Sequence, residues 1–69
     1  MELTVTKQVI VVDRKKTGQR IRRLRIRRDF SLQEVAVKVH TSRSLLSLIE
    51  RGERPVSPKM MRKIERVLR

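Results

Sequence analysis

The spacing of apolar positions changes once along this 69-residue chain. In Met1–Val12 they alternate: Leu3, Val5, Val9 and Val11 share one side, Lys7 interrupts them, and Val9–Val12 is a continuous β-branched run. That is the period of a strand. From Asp13 onward the period is helical. Asp13 is placed to cap a helix through Arg14–Arg28 that turns Ile21 and Leu24 inward, with Gly18 a weak point kept small for packing. Ser31 starts a second helix, with Glu34 three residues on to close a capping box and with Leu32, Val35, Ala36 and Val39 at helical spacing. His40–Thr41–Ser42 breaks the pattern. Ser42 then caps a third helix whose apolar positions are Leu45, Leu46 and Ile49, and Gly52 ends it. After the loop Glu53–Arg54–Pro55, Ser57 caps a last helix with Pro58 at its first position. Met61, Ile64 and Leu68 close the core there, flanked by Met60 and Val67. The pattern predicts an all-α bundle of four helices, residues 13–69, preceded by a β-strand arm, residues 1–12.

Ser31–Gly52 is the organising stretch: two short helices joined by a three-residue turn, which fits a helix-turn-helix. With Leu46 and Ile49 inward, a wheel of about 100° per residue puts Ser44, Ser47, Leu48 and Arg51 together on the opposite face. A solvated helix face usually carries Glu and Lys pairs. Short hydroxyl side chains, an apolar group and an arginine instead suit a surface that approaches base edges, bonds guanine and meets a thymine methyl. The bland alternative is a pair of surface serines beside a leucine packed on a neighbouring subunit.

Charge strengthens the first reading. Nineteen Lys and Arg against seven Asp and Glu give a formal net charge of +12, where solubility alone asks for a magnitude of about 2–8. Such density attracts polyanions and releases their counterions. The lone aromatic, Phe30, argues against single-strand binding, which relies on aromatic stacking. Duplex DNA is the expected partner.

Other classes recede. There are no cysteines and one histidine, His40, so disulfide frameworks, Cys-based zinc sites and haem attachment are excluded. No nucleophile–base pair, metal-ligand spacing or Gly-rich phosphate loop is present. The expectation is no enzyme, no cofactor, no metal and no small-molecule ligand. No apolar run approaches the roughly 20 residues of a membrane span and no signal-peptide pattern opens the chain, which points to the cytoplasm and the nucleoid. A membrane-active cationic peptide would need a broad apolar face, which the arginine-ringed first helix lacks.

Residues Gly18–Leu68 resemble the helix-turn-helix family of Cro and the lambdoid phage repressors, the XRE type. The matching pieces are IRRLR (Ile21–Arg25), FSLQEVA (Phe30–Ala36), SRSLLSLIERGERP (Ser42–Pro55) and SPKMMRKIERVL (Ser57–Leu68), in order and at the right distances. Two positions depart from the family pattern. His40 stands where glycine is usual in the turn, and Leu32 where many members have a Gln that touches a phosphate. The resemblance implies a lambda-repressor-like bundle in which Arg25, nearly in phase with Ile21, pairs with Glu50 as a structural tie.

The function expected is a sequence-specific transcriptional regulator on duplex DNA, a homodimer on an inverted repeat with helix 42–51 in the major groove. Arg43, Ser44, Ser47, Leu48 and Arg51 are the candidate base-contacting set. Arg20, Arg23, Arg27, Ser42, Arg54 and Lys59 are the candidate backbone set. A lone strand leaves its ladder groups unpaired, so Thr4–Val12 is expected to pair with a second copy through Val5, Val9, Ile10, Val11 and Val12. The alternative there is an arm that tracks DNA. The alternative function is a protein-interaction module, such as a DNA-binding antitoxin that also holds a partner protein.

Overall fold

Each helix begins at a polar residue whose side chain accepts a bond from the orphaned N–H groups of the first turn. The computed structural model describes residues 13–69, and the strand and dimerisation set expected in residues 1–12 lie outside them. Helix α1 spans Arg14–Arg27, α2 Leu32–Lys38, α3 Arg43–Glu50 and α4 Pro58–Leu68. Asp13 accepts from the Lys15 and Lys16 N–H groups, Ser42 from Leu45 and Ser57 from Met60. At α2 the capping box is complete: Ser31 Oγ accepts from the Glu34 N–H, and the Glu34 carboxylate accepts from the Ser31 N–H at 2.7 Å. Those bonds favour the ionised form and hold the Glu34 carboxyl below the usual carboxylate range. Each cap stabilises its helix by about 1 kcal/mol.

The first three helices also end alike. The chain leaves α1, α2 and α3 through a residue with positive φ: Asp29 (63°), His40 (60°) and Gly52 (77°). In each case that residue donates to the carbonyl three positions back, and the next one donates to the carbonyl five back. The pairs are Asp29 to Ile26 and Phe30 to Arg25, His40 to Val37 and Thr41 to Ala36, and Gly52 to Ile49 and Glu53 to Leu48. This is the Schellman arrangement, which satisfies carbonyls that a helix end leaves open. Its formation at Asp29 stops α1 at Arg27, one residue before the expected end, with Arg28 as its C-cap. His40, at the family's glycine position, adopts the left-handed conformation.

Ile21, Val35, Ala36, Val39, Leu46, Ile49, Ile64 and Leu68 form the buried core. Phe30 packs at its margin, with the Lys38 ammonium 5.9 Å from the ring centroid. Helix α3 packs against both α1 and α2, and α4 also touches α1 and α2. Gly18 explains how close α1 comes to α3. A Cβ there would collide with the Ile49 carbonyl oxygen and lie 2.6 Å from that of Glu50. The α1 backbone therefore rests directly on the C-terminal turn of α3.

Candidate nucleic-acid interface

The eight residues of α3 divide by burial. Leu46, Ile49 and Glu50 are buried and Leu45 half-buried, while Arg43 and Ser44 are exposed. Ser47 and Leu48 are half-buried, and Arg51, the C-cap, is exposed. Arg43, Ser44, Ser47, Leu48 and Arg51 line one open cleft of about 300 Å³, which Leu32 of α2 enters as well. The structure thus brings the whole candidate base-contacting set onto a single surface. Its lining holds two guanidiniums, two hydroxyls and two isobutyl groups, with no carboxylate. Among the described residues, the nearest acidic group to Arg51 is Glu53, 3.8 Å away with both side chains more than half exposed. Such a contact holds an arginine only weakly.

The roll of α3, which decides what faces outward, is set from behind. Arg25 donates from Nε to Glu50 Oε2 at 2.7 Å and from Nη2 to Oε1 at 3.0 Å, while Nη1 donates to the Phe30 carbonyl at 2.9 Å. Only 14% of the Arg25 side chain and 6% of the Glu50 side chain remain exposed. A carboxylate at the C-terminal end of a helix opposes the helix dipole, so Glu50 depends on this partner. The bond to Glu50 raises the Arg25 pKa above its ordinary value, against the effect of burial. One guanidinium therefore joins α1, the bend before α2, and the last residue of α3.

The candidate backbone set is more dispersed. Arg23 and Arg27 are exposed on α1, Arg54 in the loop after α3, and Lys59 in the first turn of α4. Ser42 is exposed at the entrance to α3, with its hydroxyl already accepting from the Leu45 N–H at 3.0 Å. Arg20 lies 3.9 Å from Glu65, an exposed and therefore weak contact, and lines the groove between α1 and α4 with Leu24, Leu68 and Arg69. None of the backbone set lines the α3 cleft.

Two residues have placements that helical periodicity does not reveal. Arg28 donates from Nε to the Leu68 carbonyl at 3.0 Å, tying the end of α1 to the end of α4. Leu32 packs against the core and also lines the cleft. Its place where many family members have a Gln that touches a phosphate was the sign available in the sequence. Among the described residues no cluster of His, Cys, Asp or Glu could hold a metal ion, and no helix is long and apolar enough to cross a membrane.

Residues 21–69 match the helix-turn-helix family. The chain belongs to the XRE-type helix-turn-helix family, whose members are DNA-binding transcription regulators. Comparison with curated protein sequences finds no match. Among solved structures, this helix-turn-helix domain is similar to the clp gene regulator ClgR from Corynebacterium glutamicum, with a TM-score of 0.81 and 28% identity. That alignment covers 84% of this chain and 62% of ClgR, so the chain spans less than two thirds of that regulator. It is also similar to the restriction-modification controller protein C.AhdI from Aeromonas hydrophila, with a TM-score of 0.78 and 36% identity over 81% of this chain and 85% of the other.

Proposed function

We propose that the protein is a sequence-specific regulator that binds duplex DNA as a homodimer on an inverted repeat, with α3 laid in the major groove. The observation that carries this reading is the α3 cleft: a surface of arginine, serine and leucine without a carboxylate, held outward by the Arg25–Glu50 clamp. Arg43 and Arg51 have the fork geometry that bonds guanine O6 and N7, and Ser44 and Ser47 are short enough to allow close approach. Arg23, Arg27, Ser42, Arg54 and Lys59 would hold phosphates and fix the register. Arg20, in only weak contact with Glu65 at 3.9 Å, would do the same. The net charge of +12 supplies the attraction that precedes any readout. Both similar structures are named as regulators or controllers, which supports a role in control of gene expression. The dimer is assigned to residues 1–12 through Val5, Val9, Ile10, Val11 and Val12, and the place of action to the cytoplasm, on the nucleoid.

Selection of bound sequences from a random duplex pool tests the whole reading. The expected outcome is a two-fold symmetric site with half-sites about one helical turn apart, or a multiple. Recovery of a pool as random as the input overturns it. Mass measurement after deletion of residues 1–12 tests the dimer separately, since a shortened protein that remains dimeric rules out the arm.

A further inference from the structure

Leu48 is the apolar group expected on the outer face of α3 to meet a thymine methyl, and the cleft holds a second one, Leu32. Leu48 lines it from α3 and Leu32 from the first residue of α2, and both are half-buried. Leu32 also packs against the core, so its outer carbons are held by the fold. The charged residues that line the cleft are both arginines, Arg43 at the start of α3 and Arg51 just beyond its end. Two apolar groups in a cleft whose charged members are both cations suit an anionic partner that itself carries a small apolar group. On the edges of the major groove that group is the C5 methyl of thymine.

We propose that Leu32 and Leu48 together form a methyl-reading subsite that selects thymine at one position of each half-site. Leu32 thereby contributes a specificity contact from α2, where a glutamine could have bonded a phosphate. The inference rests on the major-groove reading of α3 and goes further by assigning one base feature to two named side chains on different helices. Uracil in place of thymine removes the methyl and keeps O4 and the base pairing. The substitution therefore takes away what the subsite binds and leaves other contacts in place.

The experiment uses the full chain and a duplex taken from the selection above. Each thymine of a half-site is replaced singly by uracil, and dissociation constants are measured for the unaltered protein, Leu48→Ala and Leu32→Gln. One position is expected to bind about fourfold more weakly with uracil, the loss that follows from one methyl no longer buried. In both variants the thymine-to-uracil ratio should fall close to one. Because that ratio is taken within one protein, it is independent of how much of a variant is folded. Equal binding of thymine and uracil at every position by the unaltered protein overturns the proposal. So does an undiminished ratio in both variants. Failure of the major-groove reading would show earlier, as a selection with no preferred sequence before any uracil is introduced.

Discussion

Along α1 a cation stands at Arg14, Lys15, Lys16, Arg20, Arg22, Arg23, Arg25 and Arg27, whereas α3 carries Arg43 alone, with Arg51 just past its end. The basic helix is thus not the one with the cleft. Long, exposed cations raise attraction to any polyanion, but they keep a helix at a distance and bond phosphates of every sequence alike. The outer face of α3 is low in charge and short in reach, as close approach to base edges requires. Within α1 the cations differ again. Arg25 turns inward to the Glu50 carboxylate, while Arg22, Arg23 and Arg27 stay in solvent. The sequence IRRLR therefore mixes a structural arginine with others available to a partner.

The largest effect should come from the inward arginine. Arg25→Ala leaves Glu50 buried without its partner, a loss of about 3–5 kcal/mol for such pairs, a large part of the stability of a small domain. Arg22→Ala should leave the melting temperature nearly unchanged and weaken DNA binding instead. Equal melting temperatures for the two variants would erase the distinction drawn within α1.

Gly18→Ala comes next. Its Cβ would meet α3 backbone carbonyls that cannot rotate away, so urea denaturation should show a loss of about 1–3 kcal/mol or more, despite the better helix propensity of alanine. Gln19→Ala, one residue along on the exposed side, should be near neutral. Similar midpoints for both would mean that α1 does not rest on the end of α3.

The contrast between the two helices is then read in binding. Ser44→Ala and Arg51→Ala should each cost about 1–3 kcal/mol on the preferred site and relax base preference. Arg23→Ala should weaken all sequences about uniformly and reduce the salt slope by about one phosphate contact. Variants of α3 and α1 that behave identically in both measures would dissolve the division of roles.

The smallest effect sits at the turn into α3. A non-glycine residue in the left-handed region costs about 1 kcal/mol, so His40→Gly should raise the melting temperature slightly. Base preference should not change, because the Schellman bonds at His40 and Thr41 use only the backbone. The three such turns also show why one holds glycine. A Cβ at Gly52 would lie 2.9 Å from the Lys15 Cα, a crowding added to its φ of 77°, whereas Asp29 and His40 have room for their side chains.

Much of this fold was legible residue by residue. The starts at Asp13, Ser31, Ser42 and Ser57 are local chemistry, since a short oxygen-bearing side chain either meets the first-turn N–H groups or does not. The alternation of apolar positions with a helical period likewise marks which side of α3 is buried, and so places Ser44, Ser47, Leu48 and Arg51 on one surface. The Arg25–Glu50 pairing was suggested by family resemblance, because phase on a wheel shows that an arginine points inward without naming its partner.

What remained hidden has a common cause. The last turn of α1 ends at Arg27 because Asp29 takes a positive φ, which no sequence pattern demanded of it. Arg28 finds a carbonyl 40 residues away, Arg20 a carboxylate on α4, and Leu32 a place in the wall of a cleft built mainly by another helix. Periodicity and capping depend on neighbours within one or two turns and can be read along the chain. Which exposed arginine is occupied, and which leucine borders a surface, depends on how separate helices cross. That was decided only when α4 closed against α1 and α2 packed beside α3.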